Sequence, residues 1–172
     1  MIPRHSALIT TAVVAGVIGL SACTPVPTPE PTPTPLFASE AEAFKAAEQV
    51  YRDYNTAGAQ ADAGDANARP ETFLAGAALD EEIAGRRDLE ANGLSIRGRT
   101  DIALFNGLSS NLETSRVAAI VCLDVSGTRI FDNVGNDVTP TERPTTVPLQ
   151  VDFARSGSSL VIVKSASADA KC

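Results

Sequence analysis

The apolar positions change period three times along the chain. Ala7 to Leu20 is small and apolar almost throughout, broken only by Thr10 and Thr11. From 25 to 35 every second residue is Pro, which fixes φ, removes backbone donors and leaves polyproline II as the available conformation. Beyond that tract, Phe44, Ala47, Tyr51 and Tyr54 recur at 3-4-3 spacing and predict one stripe of a helix over 39–57. Ser39-x-x-Glu42 supplies a capping box at its start. Gly58, Asp62, Gly64, Asp65 and Asn67 read as a loop, Pro70 as the first residue of a short helix carrying Phe73 and Leu74, and 80–92 as a further helix capped by Asp80 and closed by Gly93.

After Gly93 the helical period gives way to strands. Ile102 to Leu108 is one apolar segment, and Arg116 to Ser126 is a longer one rich in β-branched residues. Gly127 turns the chain, and Arg129 to Asp132 continues the strand or pairs back. Val147, Leu149, Val151 and Phe153 alternate with Pro148, Gln150, Asp152 and Ala154, then Ser156-Gly157-Ser158 makes a hairpin turn into Leu160 to Ser165. Helices first and strands afterwards predict an α+β fold, with the helices on one face of an antiparallel sheet.

The N-terminal pattern is an address. Arg4 precedes an apolar run of about 14 residues, too short for a spanning helix of about 20 and suited to a secretory signal. The run ends Leu20-Ser21-Ala22-Cys23, which resembles a bacterial lipobox. The resemblance implies diacylglyceryl transfer to the Cys23 sulfur and cleavage before it, leaving residues 1–22 as the signal; an ordinary signal peptide cut near Ala22 is the alternative. Two acyl chains anchor a protein stably. Residues 23–35 then form the lipidated Cys and a Pro/Thr tether whose 12-residue Pro/Thr stretch spans roughly 35–40 Å, and 36–172 form the domain. The expected location is the extracytoplasmic face of the cell membrane, with the bilayer as a partner through Cys23. The threonines of the tether offer hydroxyls for glycosylation.

Composition narrows the chemistry. In 172 residues, 44% are hydrophobic and 5% aromatic, with net charge −7. Arg4 leaves with the signal, taking the charge to −8 and removing the one His, His5. An acidic domain is not expected to bind nucleic acid. No cofactor and no metal is expected, since the mature chain has no imidazole and only two spare Cys. Beyond the membrane, Cys122 and Cys172 are expected to pair; two free thiols are the alternative.

The order of elements, with a long first helix and a curved C-terminal sheet, resembles the NTF2-like (nuclear transport factor 2-like) cone, in particular the domain of small lipobox-bearing actinobacterial proteins. The segments FASEAEAFKAAEQVYRDY and VCLDVSGTRIFDNVGNDVTPTERPTTVPLQVDF carry that resemblance. The fold hosts enzymes, transport factors and binding modules alike, so it licenses no activity by itself.

Asp124 shares a strand face with Cys122. The resemblance implies that an acid inside the cone acts as a base in isomerases and dehydratases, with Arg129 or Arg116 as its partner; otherwise Asp124 caps or salt-bridges the sheet edge. Tyr51 and Tyr54 read as core residues whose hydroxyls can reach a cavity, so Asp124, Tyr51, Tyr54 and Arg129 are the ligand-binding candidates. Asp80-Glu81-Glu82 reads as compensation of a helix dipole, Arg86-Arg87 and Arg97-x-Arg99 as solvated or ion-paired positions, and 132–137 (DNVGND) as a turn rather than a calcium loop. The expected function is a non-catalytic binding module for a small ligand or an envelope protein. An Asp124-dependent isomerase or dehydratase and a sheet-mediated interaction module, with a homodimer as one form of it, are the alternatives.

Overall fold

The computed structural model describes residues 34–172. The expected signal segment 1–22, Cys23 and the expected tether as far as residue 33 lie outside the described residues. The order is α1 (Glu40–Asp62), a 3₁₀ turn (Pro70–Phe73), α2 (Gly76–Ala91), β1 (Ser95–Gly98), β2 (Asp101–Asn111), β3 (Arg116–Asp124), β4 (Thr128–Phe131), β5 (Thr146–Ser156) and β6 (Ser159–Ser167). Strands β2-β3-β5-β6 form an antiparallel sheet in that order, and β1 and β4 form a separate two-stranded sheet. This is an α+β fold.

Helix α1 begins where its capping residues place it. The Ser39 hydroxyl accepts from the Glu42 N–H at 3.2 Å, and the Glu42 carboxylate accepts from the Ala38 N–H at 2.9 Å. The helix runs to Asp62, beyond the expected stop at residue 57. A Gly inside a helix costs only about 1 kcal/mol, and the alanines around Gly58 carry the helix through it. Helix α2 starts four residues earlier than expected and Asp80 does not cap it. The residue before it, Ala75, donates its N–H to the Ile162 carbonyl of β6 at 2.9 Å. A strand-like contact with the sheet therefore delivers the chain to α2 in place of a side-chain cap. At the other end Gly93, at φ 64°, closes the helix with the Leu94 N–H bonded to the Leu89 carbonyl at 2.8 Å.

The core lies between α1 and the main sheet. Ala43, Ala47 and Tyr51 of α1 meet Val117, Ala119 and Val121 of β3, Val151 and Phe153 of β5, and Leu160 and Ile162 of β6. The alternation expected for β5 is observed. Register shifts in β2 and between β5 and β6 bend the sheet around the helix. Gly107 of β2 lets Phe44 approach: a Cβ there would stand 2.5 Å from the ring.

Strand β3 ends at Asp124, and the chain after Gly127 leaves the main sheet rather than extending it. Arg143 holds that departure, donating to the Val125 and Thr128 carbonyls and to the Thr128 hydroxyl. Strand β4 then pairs with β1, an element the sequence pattern does not reveal, and Arg97 of β1 lies 4.5 Å from the centre of the Phe131 ring. Cys122 and Cys172 are disulfide-bonded, their Cα atoms 5.6 Å apart. The bridge lies on the sheet face opposite α1 and ties down the C-terminus.

Candidate functional site

A cleft of about 630 Å³ opens between the C-terminal half of α1 and α2, within the size range of small-molecule sites. Helical spacing builds its walls. Tyr51, Tyr54, Asn55, Gly58 and Asp62 share one face of α1, and Ala78, Glu82, Gly85, Arg86 and Leu89 share one face of α2. Leu123, Leu149 and Ile162 supply an apolar floor from the sheet. The two glycines help to make the space, since a Cβ added at Gly58 or Gly85 would meet no atom within 4 Å.

A chain of polar contacts crosses the cleft. The Tyr54 hydroxyl donates to Glu82 Oε2 at 2.9 Å, Arg86 Nε donates to Glu82 Oε1 at 2.5 Å, and Arg86 Nη1 reaches Asp62 Oδ1 at 3.4 Å. Burial, together with the Glu82 charge and hydrogen bond, pushes the Tyr54 phenol well above its ordinary range. Burial alone does the same for Tyr51. Both phenols are therefore held in the protonated form, and of the two only Tyr54 has a protein hydrogen-bond partner among the described residues. Burial also raises the Asp62 carboxyl above its ordinary value, with Arg86 pulling it back and Glu82 adding to the rise. Burial works against the Arg86 charge, but Glu82 and Asp62 outweigh it and hold the guanidinium firmly protonated. Asn55 is used structurally, its amide donating to the Thr100 carbonyl at 2.8 Å.

Two of the four ligand-binding candidates line this cleft and two do not. Tyr51 and Tyr54 are in its wall. Asp124 is a correction: it is not inside the cavity. Residues 117, 119 and 121 of β3 face the helix, so Cys122 and Asp124 take the opposite face. The Asp124 carboxylate accepts from the Ser126 N–H at 2.8 Å, and that hydrogen bonding holds its pKa below the ordinary value, the reverse of what a buried base requires. Arg129 is likewise outside, donating to the Ser126 and Thr128 carbonyls and standing 3.7 Å from Asp137. Arg116 sits at the far end of β3 opposite Asn111. The acids of the site include Asp62, read as part of a loop, and Glu82, read as compensating a helix dipole, and its cation is Arg86, read as a solvated or ion-paired position.

The other polar clusters serve local structure. Asp132 accepts from the Val134 and Asn136 N–H groups and from the Asn136 amide, closing a turn over 132–137. Arg99 pairs with Asp101 at 2.7 Å. Asp80 and its neighbours lie inside α2, so the dipole explanation does not apply to them.

No protein-family model matches the sequence, and no curated protein matches it. Its structure is similar to that of the intermembrane space region of the chloroplast protein ARC6, with a TM-score of 0.52 at 18% identity, over 72% of this chain and 94% of that one. At that identity the likeness shows a shared fold and nothing about activity. No helix among the described residues is long and apolar enough to cross a membrane.

Proposed function

We propose that this chain is a lipid-anchored extracytoplasmic protein whose NTF2-like domain binds a small ligand in the cleft between α1 and α2. The observation that carries the reading is the cleft itself: glycines where two helices face each other, an apolar floor and polar groups at the rim. Leu20-Ser21-Ala22-Cys23 and the Pro/Thr tract support the anchor and the stand-off from the bilayer. The disulfide supports an oxidising compartment. The isomerase or dehydratase alternative needed Asp124 as a cavity base, and that assignment is not kept. A sheet-mediated contact draws support from Leu104 and Leu108, 45% and 50% exposed on the edge strand β2. A concentration-dependent dimer that Leu104→Ser abolishes would favour it.

Intact-mass analysis of the membrane fraction tests the anchor: a chain beginning at a diacylglyceryl-modified Cys23 is expected, and an unlipidated mature form overturns it. A thermal-shift screen tests the cleft. Ligands that stabilise the native chain should lose their effect in Gly85→Leu, and a hit that survives that filling overturns the location.

A further inference from the structure

Resting on the ligand-binding reading, we propose that the cleft takes a cationic amphiphile: an amine or quaternary ammonium head on an apolar body. The charge around the opening is lopsided: among the described residues Asp62, Glu81, Glu82 and Asp88 line it against Arg86, with Arg97 beside Asp62 at its edge. Arg86 is already engaged by Glu82 and Asp62. An anionic head would have to take Arg86 from two carboxylates while facing two more, whereas a cation is attracted by Glu81 and Asp88, which have no ion-pair partner among the described residues.

A second, independent observation comes from Tyr51. The residue is only 3% exposed, and its hydroxyl has no hydrogen-bond partner among the described residues. No fully buried side-chain polar atom is left unpaired there, so the Tyr51 hydroxyl is reached by solvent, and Tyr51 meets open space in the cleft wall. It is a polar group with no protein hydrogen-bond partner among the described residues, on a residue of the cleft wall. The rings of Tyr51 and Tyr54 stand edge to face, centroids 5.9 Å apart. Leu123, Leu149 and Ile162 then receive the apolar body.

The test titrates the full chain by calorimetry with octyltrimethylammonium, octanol and octanoate, each below its micelle concentration. The three share one tail and differ in head charge. The ammonium is expected to bind about tenfold more tightly than octanol, with octanoate weakest, and Glu81→Gln with Asp88→Asn should narrow that spread. Gly85→Leu, its fold checked by circular dichroism, should abolish binding of all three. Equal or tighter binding of octanol or octanoate overturns the cationic class while the ligand-binding reading stands. Failure of all three to bind, or binding that survives Gly85→Leu, overturns both.

Discussion

The Tyr54 hydroxyl donates to the Glu82 carboxylate at 2.9 Å, joining the middle of α1 to the second turn of α2 across a half-buried gap. The same carboxylate receives Arg86, so one acid fixes two donors from two helices. Hydrogen bonds to charged groups contribute more than neutral ones, and Tyr54→Phe should cost about 1–2 kcal/mol in urea unfolding. Glu82→Ala in the Tyr54→Phe background should then cost less than in the native chain. Additive losses would mean that the two groups are not coupled.

Two glycines should respond in opposite ways to alanine. Gly58 is inside α1 with open space around it, so Gly58→Ala should stabilise by about 0.5–1 kcal/mol by reducing the freedom of the unfolded chain. Gly107 stands against the Phe44 ring, so Gly107→Ala should destabilise by about 1–3 kcal/mol through overpacking. Denaturation midpoints of the two variants decide the matter, and a shift in the same direction for both would contradict the packing described.

The Cys122–Cys172 bridge closes a sequence separation of 50 residues, worth about 4 kcal/mol on the chain-entropy account. Cys172→Ser should lower the melting temperature by a corresponding amount. A reducing agent should reproduce that loss in the native chain and do nothing further to the variant.

Carboxyl titration by NMR should separate Asp62 from the turn aspartates. Asp62 is expected to titrate above the ordinary 3.8, because burial disfavours its charge. Asp124, Asp132 and Asp137 should titrate below it, because hydrogen bonds from Ser126, Asn136 and Thr139 favour theirs. The folded chain thus holds the Asp62 proton more tightly than the unfolded chain, so this group's contribution to stability falls as pH rises from just below 4 through its pKa. For the other three the contribution is present above 3.8 and is lost as pH falls through their lowered pKa values. Asp62→Asn should remove the first dependence and leave the second.

Local rules explain what was legible in the sequence. Ser39 and Glu42 cap α1 because both partners lie within one turn. Residues 149, 151 and 153 share a buried face because a strand has a period of two, and the turn at 156–158 needs only its own residues. Strand β1 was not legible: four residues carry little pattern, and their partners lie 30 or more positions away. The start of α2 was also hidden, since a hydrogen bond from Ala75 to β6 replaces the expected cap.

The sequence by itself determined the α+β order, the cysteines available to bridge and the lack of imidazole chemistry beyond His5. Period and composition suffice for these because each is a property of neighbouring residues or of a count. Only the tertiary structure decided which face of β3 is buried. It put Asp124 at the surface and assembled Tyr54, Glu82, Arg86 and Asp62 around one cleft. Strand periodicity fixes that Cys122 and Asp124 share a side, but the side that meets the helix follows from how α1 packs over β3, through Ala43, Ala47 and Tyr51.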